Sequence, residues 1–360
     1  MIVSQTDGGV ARRSLRRLCI CGAIVLLGIF GPARGEDKLR DRVVLKTKGR
    51  SSRITLQCDI QEYTGKFIRV KTTAGTVRTY PASDVVDVRT PQTELHVKGL
   101  IAFTQHKYAA ARDLFHRGLK EESRAWVRRE ILAMIVRCAL RLGDHKTAAD
   151  RFVLIVKSDP ATPRFALIPL VWAPRTITAD EQAQAKQWLL RSTDPATRLV
   201  AASLLLNHAD WGRNAATALS GLVSSSDARV RDLAQAQLWR KRLMRGAPGP
   251  NELAIWERHA RGMPAELRGG PFFLLGRAYL ARKQNEKAAA AFLWLPLVYD
   301  GDHHLAARAC LEAADALADV GRKSAASALY REVAVRFADT PFAAEAAAQR
   351  RSLLRPAGKR

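Results

Sequence analysis

The sequence predicts a mainly α-helical chain: an array of stacked helical hairpins with a small five-stranded β module before it. Three observations carry this. From residue 94 to 354 apolar residues recur with a helical period in an Ala-rich background. Within that stretch a pattern of small and large residues repeats after 37 positions. Between 41 and 89 the period falls to two, and Gly49, Gly65 and Gly75 punctuate the runs as hairpin turns require.

Composition narrows the class. The 360 residues are 47% hydrophobic and 26% charged, which suits a folded chain and not a disordered or polytopic membrane one. Five cysteines are too few for a disulfide scaffold. Lys+Arg number 59 against 34 Asp+Glu, a net charge of +25. Arg dominates the cations, and Arg and Ala are both products of GC-rich codons. The cations also lie apart, at Arg124, Arg128 and Arg129, at Arg229 and Arg231, at Arg240, Lys241, Arg242 and Arg245, and at Arg350 and Arg351. A nucleic-acid binder concentrates charge on one face. The expectation is therefore a diffuse solvated surface, with a polyanion-binding face as the alternative and nucleic acid disfavoured.

The N-terminus has the layout of an export signal. Arg12, Arg13, Arg16 and Arg17 form a positive region, residues 18–30 an apolar run, and Ala33 and Gly35 the small residues before a cut at Glu36. The run is shorter than the ~20 residues that cross a bilayer. Residues 1–35 are read as a cleaved signal peptide, giving a periplasmic or secreted protein. The alternative is an inner-membrane anchor over 1–32, the only membrane contact expected.

The β module, residues 36–92, alternates apolar and polar positions: Val43 and Leu45, Ile54 to Ile60, Phe67 to Val70, Val77 and Thr79, Val85 to Val88. Five short strands in so few residues favour a closed or half-closed barrel, because closure removes exposed edges. The stretch resembles the small SH3-like or Sm-like barrels of exported bacterial proteins. Its Lys46, Lys48, Arg50, Arg53, Lys66, Arg69, Lys71 and Arg78 are read as the solvent face of alternating strands.

In the helical part, Gly99, Ala111 and Phe115 share a spacing with Val136, Ala148 and Phe152, with Gly276, Ala288 and Phe292, and with Ala313, Ala325 and Leu329. A small residue lets two antiparallel helices approach, and a large one on the next turn fills the hole beside it. Leu275-Gly276, Tyr279, Ala288 and Phe292 resemble the tetratricopeptide repeat. Leu329-Tyr330 through Phe337 and Thr340-Pro341-Phe342 resemble the repeats of periplasmic proteins that work beside the Tol-Pal envelope system. The resemblance spans 93–160 and 271–355 and implies protein or peptide binding on a concave surface.

Between them, at 161–270, Asp194, Arg198, Ala201 and Leu205 recur 33 residues on as Asp227, Arg231, Ala234 and Leu238. Asp194-Pro195 reads as a helix cap with Pro in the first turn. The segment resembles degenerate HEAT-type hairpins. Pro160, Pro163, Pro169 and Pro174, then residues 246–250 and Gly269-Gly270-Pro271, are read as kinks. Residues 356–360 form a short basic tail.

No phosphate-binding Gly loop, nucleophile elbow, zinc-protease helix or C-x-x-C pair occurs. Asp302-His303-His304 is read as a loop between repeats, and Cys58, Cys138 and Cys310 as buried apolar side chains. The sequence thus points to no enzyme, metal or cofactor. It points to an exported scaffold binding an envelope protein or peptide, or alternatively an acidic polymer such as a cell-wall polymer, lipid head groups or nucleic acid. In a solenoid the first helices of successive repeats line one concave surface. For the C-terminal pair these run about 272–281 and 305–320, which nominates Arg277, Arg308, Glu312 and Asp315 as partner contacts.

Overall fold

The computed structural model describes residues 41–46 and 52–355. The signal segment, the alternative anchor, the Gly49 turn, Lys48, Arg50 and the basic tail lie outside the described residues. Among the described residues 65% are helical, in 14 α-helices and three short 3-10 turns after a five-stranded antiparallel sheet. No helix among the described residues is long and apolar enough to cross a membrane.

The alternating residues form β1 (Asp41–Lys46), β2 (Arg53–Tyr63), β3 (Phe67–Thr72), β4 (Val77–Pro81) and β5 (Val85–Arg89), in the order β4-β3-β2-β1-β5. The two edge strands are joined by only a three-residue 3-10 turn, Ala82–Asp84. In a flat sheet the edges would stand about 19 Å apart, four strand spacings. The link from Pro81 to Val85 reaches about 14 Å even when extended, so the sheet must curl toward a barrel. Two of its outer cations have acidic counterparts in register, Lys71 facing Asp59 and Arg69 facing Glu62 across β2 and β3, whereas Lys46 and Arg53 face each other across β1 and β2.

The sheet does not stand alone. Its inward residues Val43, Leu45, Cys58, Ile60, Ile68 and Val70 share one core with α1 (Glu94–Thr104), α2 (Tyr108–Glu121) and α3 (Ala125–Arg141). Buried Asp41 accepts hydrogen bonds from Ile60 N (2.7 Å) and Thr90 Oγ1 (2.6 Å). Arg124 in turn donates to Thr90 and to the Pro91 carbonyl, and forks onto Glu122.

Four hairpins repeat one geometry: α1–α2, α3 with α4 (His145–Ser158), α10 (Gly269–Ala281) with α11 (Asn285–Val298), and α12 (His303–Asp319) with α13 (Lys323–Arg336). Each first helix ends on a residue of positive φ: His106, Gly143, Lys283 and Gly321. Each turn carries the same crossed pair of backbone bonds, as in Lys107 N to Ala102 O with His106 N to Phe103 O, and Arg322 N to Leu317 O with Gly321 N to Ala318 O. This is the Schellman closure that satisfies the last carbonyls of a helix. The expected close contacts are present: a Cβ on Gly99 would lie 2.7 Å from the Phe115 ring, and one on Gly276 2.4 Å from the Phe292 ring.

The fourth hairpin corrects the register. Ala325 is exposed and Leu329 half-buried, whereas Ala326 and Tyr330 are buried. The C-terminal repeat steps by 38 residues, as the turn pair Lys283 and Gly321 records. Two other readings change. Gly269-Gly270-Pro271 is the first turn of α10, not a break before it. Asp302 is the N-cap of α12, accepting from Leu305 N (3.0 Å), and His303 and His304 belong to its first turn, not to a loop.

The middle contains α5 (Ala179–Arg191), α6 (Pro195–Leu205), α7 (Gly212–Leu222), α8 (Ala228–Leu243) and α9 (Pro250–Gly262), and α14 (Phe342–Leu354) ends the array. Asp194 and Asp227 cap α6 and α8, and each is preceded by a serine, Ser192 and Ser225, that accepts its backbone N–H. Packing joins α4 to α6, α6 to α8, α8 to α10, α10 to α12 and α12 to α3. Since α3 and α4 are one hairpin, the contacts form a closed circuit. The three cysteines among the described residues, Cys58, Cys138 and Cys310, are free and buried, and burial pushes Cys138 and Cys310 up to about 12.

Candidate functional site

A concave face exists only if nothing fills it, and residues 159–178 cross it. This stretch joins α4 to α5 with a single 3-10 turn, Phe165–Leu167. Its apolar residues cannot stay in water: Phe165, Leu170, Val171 and Trp172 are buried in the main core. Its backbone polar groups must then find partners inside, and the inner helices supply them in order. Ser203 on α6 accepts from Val171 N (2.8 Å), and Gln237 on α8 donates to Val171 O (3.1 Å). Arg240 on α8 also donates to Val171 O, as well as to Ser203 O (2.9 Å) and Gln237 Oε1 (2.8 Å). Arg308 on α12 donates to Pro174 O (3.2 Å). The Trp172 ring covers Gly270 on α10.

Arg240 is a buried cation whose partners are all neutral oxygens, and burial lowers it to about 10. Such a group is costly unless its donors are met. The Val171 carbonyl of this connecting strap, residues 159–178, and the Ser203 carbonyl meet two of them, so strap and inner helices depend on one another.

The nominated residues divide. Glu312 is buried and receives Arg277 Nη1 (3.0 Å) across from α10 and Arg308 Nε (3.0 Å) from its own helix. Three of the four are thus one cluster that ties α10, α12 and the strap together. Asp315 points elsewhere, accepting from Tyr330 Oη on α13 (2.6 Å), and burial raises its carboxyl above the ordinary value. Of the four, Arg277 alone is exposed, its side chain to 45%.

Beside the strap a cavity of 180 Å³ remains where the circuit closes, lined among others by His145, Trp172, Arg175, His304, Arg308 and Phe342. Burial pushes the His145 imidazole below the ordinary histidine value, and Arg175 adds to the shift. Arg175 is occupied by a forked pair with Glu181 (3.1 and 2.8 Å) and His304 by the Arg141 carbonyl (3.2 Å). His303 lies behind, between Asp339 and Arg141. Among the described residues no group of three or more His, Cys, Asp or Glu is placed to hold a metal ion.

The strap was not foreseen as a core element. Its signal was available: an apolar run, 165–173, inside a proline-rich connection too long for an ordinary loop. No protein-family model matches the chain, and no curated protein matches it.

Proposed function

We propose that the chain is a non-enzymatic exported scaffold that binds an envelope protein or peptide through its tetratricopeptide-like hairpins. Export entails cleavage after Gly35, and N-terminal sequencing of the periplasmic protein tests it. The observation that carries the binding reading is the Arg277–Glu312–Arg308 cluster. It fixes the partly exposed Arg277 side chain between two first helices of the repeats. A planar guanidinium anchored on one side by a carboxylate still presents paired donors to a second carboxylate on a partner. The strap takes the centre of the inner face, so the partner engages its edge.

The test is capture of the envelope partner by wild type and by Arg277→Glu. Loss of capture without a change in melting temperature supports the reading. Unchanged capture removes the inner face and leaves the β module as the better candidate. A second reading, binding of an acidic polymer, is favoured by cations on α7 and α8 that have no acidic partner among the described residues.

A further inference from the structure

The walls of the α7–α8 cleft repeat one spacing. On α7, Arg213, Ala216, Thr217 and Ser220 fall at i, i+3, i+4 and i+7; on α8 and its end, Leu238, Lys241, Arg242 and Arg245 do the same. Side chains so spaced share a helix face, and the two faces flank a shallow, open groove of about 380 Å³. Four cations and two hydroxyls line it, and no acid does. Arg242 is committed to Glu252 (3.1 Å) and to the Gly246 and Ala247 carbonyls. Arg213, Lys241 and Arg245 have no acidic partner among the described residues.

Helix electrostatics explain part of this. Lys241 and Arg242 lie in the last turn of α8, where cations are favoured. Arg213 is the second residue of α7, the end where the helix dipole disfavours a cation. The charges crowd into a concave space against the local dipole of α7, and a bound anion would relieve both conflicts. Three free cations suit a multiply charged group better than a single carboxylate.

We propose that the α7–α8 cleft binds a phosphate group, from free phosphate or from a lipid head group. Arg213 and Arg245 supply forked donors and Lys241 a point charge. Thr217 and Ser220, whose hydroxyls now donate to the Arg213 and Ala216 carbonyls (3.1 and 3.0 Å), are free to turn toward the ligand. The proposal rests on the acidic-polymer reading and narrows it to one site.

The full chain is titrated with pyrophosphate by calorimetry. It is also sedimented with vesicles of phosphatidylglycerol, with phosphatidylcholine vesicles as the uncharged control. Binding to pyrophosphate identifies free phosphate, and binding to anionic vesicles alone identifies the head group. In either arm affinity should fall steeply with salt, and Arg213→Ala/Lys241→Ala should weaken it at least about tenfold with the melting temperature unchanged. Arg258→Ala/Arg331→Ala, removing the same charge elsewhere, should leave it intact. Equal loss in both pairs, or no loss in the cleft pair, overturns the cleft and leaves diffuse acidic-polymer binding standing. Binding in neither arm overturns both.

Discussion

A Cβ placed on Gly270 would lie 1.9 Å from Cε2 of Trp172. The strap is therefore seated against the backbone of α10, and only glycine permits it. Gly270→Ala should overpack this contact and cost about 1–3 kcal/mol, and Trp172→Ala about 3–5 kcal/mol. In the double variant the alanine methyl occupies space the indole has left. The two losses should then sum to clearly more than the measured total in urea unfolding. Strict additivity would mean that the two residues do not touch.

The four hairpin turns make opposite predictions for one chemistry. Lys283 and Gly321 occupy equivalent left-handed positions, at φ 57 and 75. Lys283→Gly should stabilise by about 0.5–1 kcal/mol, and Gly321→Lys should destabilise by a similar amount. Thermal unfolding of the two variants checks the equivalence, and the same sign for both would deny it.

Register in the last hairpin can be read by a pair of bulky substitutions. Ala326→Trp should cost about 1–3 kcal/mol by overpacking, while Ala325→Trp, on the exposed side, should stay within about 0.5 kcal/mol. A loss at Ala325 with none at Ala326 would return the register to the 37-residue step.

Glu122 is buried, and the hydrogen bond from Arg124 holds its carboxyl below the ordinary glutamate value against the opposing effect of burial. Its folded-state pKa is depressed, so its stabilisation is present above the ordinary glutamate range. It is lost as pH falls through the folded value. Glu122→Gln should be less stable than wild type at pH 7 by about 1–3 kcal/mol, and the gap should close well below the ordinary glutamate range. Urea midpoints on both sides of that range test this; a pH-independent gap contradicts it.

Much of the architecture was legible because local rules decide it. Asp194 and Asp227 cap helices through a side-chain oxygen, a device visible in sequence. The alternation of β1 and β3 placed their inward residues. In β4 the phase is reversed: Tyr80 packs on the core while Val77 and Thr79 are exposed, as are Ile54 and Val86. Gly276 and Phe292 meet as their spacing implied. The one-residue slip at Ala325 arose because Ala313-Ala314 and Ala325-Ala326 are adjacent alanine pairs, equally small in either register. The strap escaped because its fate is non-local. Prolines mark the end of a helix, but the partners that take the apolar run beyond it into the core lie on α6, α8, α10 and α12, far away in sequence. The nomination of Asp315 and Glu312 as partner contacts missed their internal ties for the same reason: Tyr330 and Arg277 lie on other helices, although Arg308, one turn before Glu312 on α12, was a partner visible in the sequence.

The binding reading is tested most directly by a photo-crosslinking residue placed at Arg277 in the exported chain, with a second chain carrying it at Arg258 on α9 as the control. An adduct with a single envelope protein from position 277, absent from position 258 and competed by unlabelled chain, is the predicted result. No adduct at 277, or the same adducts from both positions, would contradict a partner held at the edge of the inner face.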